Sequence, residues 1–241
     1  MFSFPKNIVC ETSTIADGNM SFNGASKKEI IDNRTHFLGK YGIGGQEHVA
    51  MRCNHGSKIT LVDHNHAGVG IFEPNDQIQS EVLVTQKKHL ALFLLTADCQ
   101  PMSLYDPITQ TIALAHISRK TLVQELVQKT VGFLHDALGA DPQNILVQIG
   151  PSIKKESYAF ELPLQEESEV LKNYTEIKND FAYIDLESAS VAQLIATGIQ
   201  KEHISISEID TGTSVHHFSY YRMKKKGEPD TARMATILMQ R

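Results

Sequence analysis

The sequence is poor in cysteine, in excess positive charge and in long apolar runs. Three cysteines in 241 residues cannot all pair, which argues against a disulfide scaffold. A formal net charge of -5 argues against a polyanionic partner such as duplex DNA, which needs a basic face. No apolar run reaches the ~20 residues of a membrane span, and the first residues lack the build of a signal peptide. We therefore expect a cytoplasmic protein with no nucleic-acid or membrane partner.

The rest of the composition is that of a globular domain. With 41% hydrophobic and 21% charged residues, the chain can bury a substantial core, and no repeat or linker divides residues 1–241. Strand-like and helical segments are mixed, which predicts an α/β or α+β fold, a single domain of mixed β-sheets flanked by helices. The predicted strands are KNIVCETS, HVAMRCN, SKITLVDH, EVLVT, LALFLLT, TIALAH, NILVQIGP, FAYIDL, HISISEI and ATILMQ.

Apolar periodicity and end signals predict the helices. In the clearest helix, residues 121–138, apolar side chains recur on one face, and Gly139 ends the helix. The lysines at 224–226, which precede Gly227, are predicted to lie in a solvated loop. The predicted helices are residues 25–42, 121–138, 167–174 and 188–199.

One cysteine and two histidines lie at strand ends and can meet in the fold. Cys99 follows an apolar run, His116 ends another, and the turn YDPITQ between them allows the flanking strands to pair. His55 lies in the turn-forming triplet Asn54-His55-Gly56. Two imidazoles and one thiolate suit zinc with an open fourth position, but Cys99 and His116 also suit a nucleophile and its base. The residues alone do not separate these uses from a core role for Cys99.

Seven segments, in order along the chain, resemble motifs of the bacterial laccase-domain proteins. At the centre, TADCQPMSLYDP followed by a strand and AH resembles the family's ADCxPVLLYDP…AAVHAGWRG. STIADGNMSFN, DNRTHFL and CNHGSKITLVD are similar to STRxGGVS…SLN, NRxxL and QVHGxxVxxVD. QIGPSI, AYIDLESASVAQLIATGI and FSYYR…TARMATIL are similar to IGPCI, xLDLxxANxxQLxxxGV and FFSYRR…TGRMAxLI. That family was named multicopper polyphenol oxidase, and its members are associated with purine nucleoside phosphorolysis, adenosine deamination and, in one branch, peptidoglycan editing.

The resemblance implies a metal site and a reaction. The family's metal ligands fall on His55, Cys99 and His116, so zinc is the implied cofactor, with copper as the alternative. The implied small-molecule substrates are a purine nucleoside and phosphate. Zinc would activate the water that attacks adenine during deamination, whereas phosphorolysis needs a phosphate held against the ribose by a cation. We expect the protein to be a monomer or a homodimer.

Further residues are candidates for the chemistry of this implied enzyme. Asp98 is the nearest carboxylate that could carry a proton, and we group it with Cys99 as catalytic. Arg119, which follows the AH motif, is a local cation for phosphate and is the third predicted catalytic residue. The resemblance also implies that Asn23, Arg222 and Arg233 bind substrate.

The segment HISRKT departs from the family's HAGWRG. Ser118 and Thr121 replace two glycines, and a glycine lost at a turn implies a different backbone path or a different approach of the ligand. Lys120 replaces the arginine, which removes a planar bidentate fork. The glutamine of the QVH motif is Cys53 in this chain. These departures suit a member with altered substrate choice, or one that has lost activity.

Two other functions remain open. A copper-dependent polyphenol oxidase needs several clustered histidines, and the candidates, His64 to His66 and His216-His217, are predicted to be surface groups. A cysteine hydrolase acting on a cell-wall precursor would use Cys99 as nucleophile and His116 as base.

Overall fold

The computed structural model describes residues 3–44, 47–162, 168–229 and 231–241. The helices in this part of the chain are α1 Lys27–Gly39, α2 Arg119–Val123, α3 Leu126–Leu138, α4 Glu169–Lys172, α5 Leu186–Ala196 and α6 Tyr220–Lys226. The strands are β1 Ile8–Thr12, β2 His48–Arg52, β3 Ile59–Leu61, β4 Ile78–Gln79, β5 Val82–Thr85, β6 Ala91–Thr96, β7 Gln100–Asp106, β8 Thr111–Ile117, β9 Leu146–Ile149, β10 Ala159–Glu161, β11 Thr175–Lys178, β12 Phe181–Ile184, β13 Ile204–Ile206 and β14 Met234–Gln240.

Two large mixed sheets pack face to face, with helices outside them. The five-stranded sheet has the order β1-β14-β6-β2-β4, and the six-stranded sheet has the order β13-β9-β7-β8-β5-β3. The strands β10, β12 and β11 form a small separate antiparallel sheet in that order. The helix α1 covers the outer face of the five-stranded sheet, and α3 and α5 cover the six-stranded sheet. This arrangement confirms the predicted α/β single domain of mixed sheets flanked by helices.

The central strands are buried on both faces, which explains their continuous apolar sequence. In β6, Leu92 and Leu94 point between the two sheets, whereas Phe93 packs toward α1. In β8, Leu114 points between the sheets and Ala115 toward the helices. Successive side chains of these strands therefore point to opposite faces and fill three apolar layers. The sequence shows no alternation of apolar and polar residues, because both faces are buried.

The prediction of one continuous helix over residues 121–138 is wrong, because two helices, α2 and α3, lie there. Glu125 has a left-handed backbone, with φ at 57°, which interrupts the helical hydrogen-bond ladder and separates α2 from α3. The first piece also begins earlier, at Arg119, because Ser118 caps it. The apolar periodicity is nevertheless real, since Leu122, Leu126 and Val131 are all buried.

The loop predicted around the lysines at 224–226 is also wrong, because these residues form the last turn of α6. Ser219 caps this helix by accepting a hydrogen bond from the Arg222 amide, and Gly227 ends it in the left-handed region with φ at 67°. Lysines are favourable at a helix C-terminus, where the peptide dipoles leave partial negative charge. No helix in the described part of the chain is both long and apolar enough to cross a bilayer.

Candidate metal centre and substrate cavity

Two connections that pass from one large sheet to the other form the candidate site. The connection from β2 to β3 carries Cys53 and His55, and the connection from β6 to β7 carries Asp98 and Cys99. His116 is the next-to-last residue of β8, on the face that points between the sheets. Residues that are far apart in sequence therefore meet where the two sheets open at one end.

A cavity of about 740 Å³ opens at this point. The predicted metal ligands His55, Cys99 and His116 all line it, as do Asn23 and Arg233 among the predicted substrate-binding residues. Asp98, Arg119 and Arg222 do not belong to its lining. The volume is within the range of about 300–1,000 Å³ that is usual for small-molecule sites.

His116 is the centre of the group of possible metal donors. Its ring centre lies 5.2 Å from that of His55, and the thiols of Cys53 and Cys99 lie close enough to raise its pKa. Its Nδ1 lies 2.7 Å from Oε2 of Glu81. Burial alone would lower the pKa of His116, but the two thiols hold it well above the usual value. The surroundings of this ring therefore favour positive charge, which a bound cation would also supply.

Glu81 holds the two histidines in place, although it was not among the predicted site residues. Its Oε2 faces His116, while its Oε1 accepts hydrogen bonds from the amides of Asn54 and Gly56 at 2.6 and 3.1 Å. The same carboxylate thus fixes the turn that carries His55, whose φ is 63°. A carboxylate on Nδ1 leaves Nε2 of a metal-binding histidine free to ligate. The available signal was an acidic residue at the start of the apolar run EVLVT.

The donor chemistry fits a metal ion. Cys53, Glu81 and His116 offer ligand atoms that all lie within 4.8 Å of one another, and among the described residues this is the one such group of three or more. Imidazole and thiolate are ligands that suit zinc, and also copper. Cys53 and Glu81 were not among the predicted ligands, and of the predicted ligands His55, Cys99 and His116 this group contains His116.

The other histidine clusters of the sequence do not form a second centre in the described chain. His66 interacts with Asp63 at 2.9 Å in a short turn of helix. His216 is exposed, as predicted. His217 is not a surface group, since it is 6% exposed and its Nδ1 lies 2.8 Å from the Ser214 hydroxyl.

Asp98 is bonded within the fold rather than placed at the cavity wall. Its Oδ1 accepts from the Thr211 hydroxyl at 2.6 Å, and its Oδ2 accepts from the Tyr221 amide at 2.7 Å. Burial raises the pKa of this carboxyl group. Its backbone is left-handed, with φ at 83°, so the two bonds hold a strained residue immediately before Cys99.

The three predicted arginines lie in different surroundings. The Arg222 guanidinium donates to the carbonyls of three residues between 211 and 217 at 2.6 to 2.8 Å, and so ties that loop to α6. The Arg119 guanidinium lies 5.7 Å from the centre of the Phe160 ring. Arg233 is in the cavity wall, and its guanidinium carbon lies 5.7 Å from the centre of the Tyr220 ring.

A buried arginine, Arg34, also reaches the cavity and was not predicted. It is fully buried and donates to the carbonyls of Met20, Gly70 and Ile71, at distances from 2.5 to 3.2 Å. Its guanidinium carbon lies 4.2 Å from the centre of the Phe22 ring. Burial lowers its pKa to about 10, so it remains a cation at neutral pH. Arg34 belongs to the DNRTHFL motif, but the helical spacing of that motif does not predict that its side chain points toward the cavity.

The altered segment after His116 forms an ordinary helix start. Ser118 has φ at -126°, which any residue adopts, and its side chain accepts from the Thr121 amide. The Thr121 hydroxyl in turn accepts from the Ser118 amide at 2.7 Å. The residues that replace the glycines therefore form a reciprocal capping pair, and this turn requires no glycine.

Comparisons with known proteins agree with this fold and identify the family. The sequence model of the multi-copper polyphenol oxidoreductase laccase family matches residues 4–241. A purine nucleoside phosphorylase of Streptomyces griseus is 31% identical over 218 residues, which cover 87% of this chain and 84% of that protein. An adenosine deaminase from an unknown prokaryotic organism is 24% identical over 85% of this chain and 79% of its own length. The crystal structure of YlmD from Geobacillus stearothermophilus superposes with a TM-score of 0.87, at 22% identity, over 98% of this chain and 93% of that one.

Proposed function

The chain belongs to the multi-copper polyphenol oxidoreductase laccase family, and on that premise we propose that it is a zinc-dependent enzyme of purine nucleosides. Its reactions would be phosphorolysis of adenosine and inosine, and deamination of adenosine. The observation that carries the proposal is one cavity that joins the metal donors to cationic and aromatic side chains. Relatives that are named as purine nucleoside phosphorylase and adenosine deaminase support it.

His55, Cys99 and His116 would hold the zinc ion. When bound, zinc would supply Lewis acidity and activate water near neutral pH. Glu81 accepts from Nδ1 of His116, which directs the other ring nitrogen toward the thiols. We assign Asp98 to positioning Cys99, because both of its oxygens already accept hydrogen bonds from the protein.

The charge of the cavity favours an anionic co-substrate. Arg34, Arg52 and Arg233 line it, and its described lining contains no aspartate or glutamate, although the whole chain carries a net charge of -5. Phosphate is the anion that phosphorolysis requires, and fixed cations would stabilise it against the ribose carbon. We assign this contact to Arg233, because it lies in the cavity wall, whereas Arg222 lies outside that wall and ties a loop to α6.

Polar and aromatic groups in the same wall suit a nucleoside. Phe22 and Tyr220 offer ring faces or edges to a purine base, and Asn23 offers an amide to its polar atoms. The hydroxyl of Thr96 lies in the wall, is 1% exposed and has no hydrogen-bond partner among the described residues. A buried hydroxyl without a partner favours a ligand that supplies one.

The test is a nucleoside panel with and without phosphate, with products separated by chromatography. We expect adenine or hypoxanthine only when phosphate is present, and inosine from adenosine without it. Arg233→Met should raise KM for phosphate by roughly 10- to 100-fold, as is typical for a lost charged hydrogen bond. Arg222→Met, the matched control, should change stability more than KM. No product from any nucleoside would contradict the proposal.

A second function has one specific observation in its favour. The order Cys99, His116, Glu81 is that of a nucleophile, its base and an orienting carboxylate, as a cysteine hydrolase requires. A thiol alkylator would inactivate either enzyme. Only the zinc enzyme would lose activity to a chelator and regain it with added zinc, which separates the two.

A further inference from the structure

Cys53 projects into the metal centre from the sheet opposite His116. Met51, two residues earlier in β2, points between the sheets, and Cys53 continues on the same face immediately beyond the strand. Its sulfur lies within 4.8 Å of a ring nitrogen of His116. Cys53 also lines the cavity together with His55 and Cys99. Cys53 therefore shares the cavity with His55, Cys99 and His116, and its sulfur belongs to the group of possible donor atoms that lie within 4.8 Å of one another beside His116.

Glu81 does not take the place of a fourth ligand. Both of its oxygens are engaged, one with His116 Nδ1 and one with two backbone amides of the His55 turn. If Glu81 rotated toward a metal ion, both histidines would lose their support. No comparable hydrogen bond to the backbone holds the sulfur of Cys53 among the described contacts.

We propose that Cys53 is a fourth protein ligand, so that this chain holds its zinc in a closed site of two cysteines and two histidines. The inference rests on the zinc site of the proposed function. A glutamine stands at this position in the QVH motif that the sequence resembles, and a neutral amide is a poor zinc ligand, whereas a thiolate is a strong one. The substitution therefore adds a donor that the motif lacks.

A fourth donor changes what the metal can do. Catalytic zinc sites have three protein ligands and an open position for water or substrate, whereas sites with four protein ligands are structural. In this chain, the metal would be held tightly, and turnover would require one ligand to leave. The enzyme would be slow with its native Cys53 and faster once that position was opened.

Cobalt substitution tests the number of thiolate ligands without relying on activity. Cobalt(II) would replace zinc in the wild type, Cys53→Gln, Cys53→Ser, Cys99→Ser and, as the control, Cys10→Ser. Cys10 is a suitable control because it is not part of the metal centre. Its thiol donates a hydrogen bond to the Ser103 hydroxyl at 3.3 Å in the core, where burial raises its pKa to about 12. Thermal melting would verify that each variant folds.

The sulfur-to-cobalt charge-transfer absorption should scale with the number of bound thiolates. We expect it to fall to about half in Cys53→Gln, Cys53→Ser and Cys99→Ser, and to stay unchanged in Cys10→Ser. Zinc-loaded wild type should also shield two more thiols from alkylation than the metal-free protein does. Full absorption in both Cys53 variants, or a Cys53 thiol that reacts equally with and without zinc, would overturn the proposal.

The nucleoside panel separates this inference from the proposed function. Half the absorption in Cys53→Gln without turnover of any nucleoside would support the fourth ligand and remove the nucleoside function. Full absorption in Cys53→Gln, with turnover by the wild type, would remove the fourth ligand and support the nucleoside function. Half the absorption with several-fold faster turnover in Cys53→Gln would support both, and a protein that binds no cobalt would overturn both.

Discussion

His48 and His116 are both buried histidines at strand ends, yet their surroundings are opposite. His48 begins β2 and is fully buried, its ring packs edge-on against Phe72, and its Nε2 has no hydrogen-bond partner among the described residues. His116, near the end of β8, is 4% exposed and faces two thiols, a carboxylate and a second imidazole. Burial lowers the pKa of His48 to about 4, whereas the thiols hold the pKa of His116 well above its usual value.

The difference shows what distinguishes a ligand from a core histidine. Burial is common to both and decides nothing. What differs is the set of side chains contributed by other strands, because only His116 has donors that a cation could share. His48 instead has the buried cation Arg34 as a neighbour, which also disfavours its protonation.

The largest effect should come from exchanging each histidine for glutamine. His116→Gln should lose metal binding, because it removes the ring that contacts both thiols, whereas His48→Gln should keep one zinc per chain. Metal analysis after dialysis measures this, and thermal melting of the chelated proteins shows whether both variants fold. Equal zinc in the two variants would abolish the distinction between the two sites.

The next effect concerns the carboxylates beside the two histidines. Glu81→Gln should weaken zinc binding by about 10- to 100-fold, because it removes the acceptor that orients His116 and the His55 turn. Glu47→Gln is the control, since Glu47 lies near His48 and accepts only from the Gly44 amide at 2.8 Å among its described hydrogen bonds. Competition with a chromophoric chelator measures both affinities. An unchanged affinity in Glu81→Gln would contradict the assigned role of this residue.

Acid should destabilise the protein through His48. In the unfolded chain the His48 ring takes up a proton below its usual pKa of 6.5, whereas in the folded protein its pKa is about 4. Stability from the neutral ring is therefore complete above pH 6.5 and falls as the pH is lowered toward 4, by roughly 3 kcal/mol for this site.

Urea unfolding of the metal-free wild type and of His48→Gln from pH 7 to pH 4 measures this contribution. The wild type should lose roughly 3 kcal/mol more of unfolding free energy than the variant does. Parallel curves for the two proteins would show that the neutral His48 ring does not govern the acid response.

The smallest effect concerns the capping pair that follows His116. Ser118→Ala should cost about 1 kcal/mol of unfolding free energy and Ser118→Gly only a few tenths, because glycine is tolerated at a helix N-cap. Neither variant should change the zinc content, since the φ of Ser118 requires no glycine. Chemical unfolding and metal analysis test both statements, and zinc loss in Ser118→Gly would show that the turn helps to place His116.

The sequence allowed prediction of most long strands, but not of β7, and of three side chains that line the cavity. Strands such as β6 and β8 are buried on both faces, so their apolar runs are continuous and visible. His55, Cys99 and His116 were found through the family motifs, and the structure brings them to one cavity. Spacing alone would not have grouped them, because the two sheets that carry them meet only in three dimensions.

What the sequence did not indicate depends on contacts between distant side chains. Glu81 lies 35 positions from His116 and reads as the first residue of an apolar strand. Asp98 looks like a proton carrier because it precedes Cys99, but Thr211 and α6 occupy its oxygens. The break at Glu125 was hidden because the apolar period continues across it.

Anomalous diffraction at the zinc edge, from crystals grown with zinc, is the direct test of the metal site at His116. We expect one peak per chain between the two large sheets, bonded to His55, Cys99 and His116 at about 2.0–2.3 Å. The same map shows whether the sulfur of Cys53 completes the coordination. A peak bonded elsewhere, or no peak beside His116, would contradict the account.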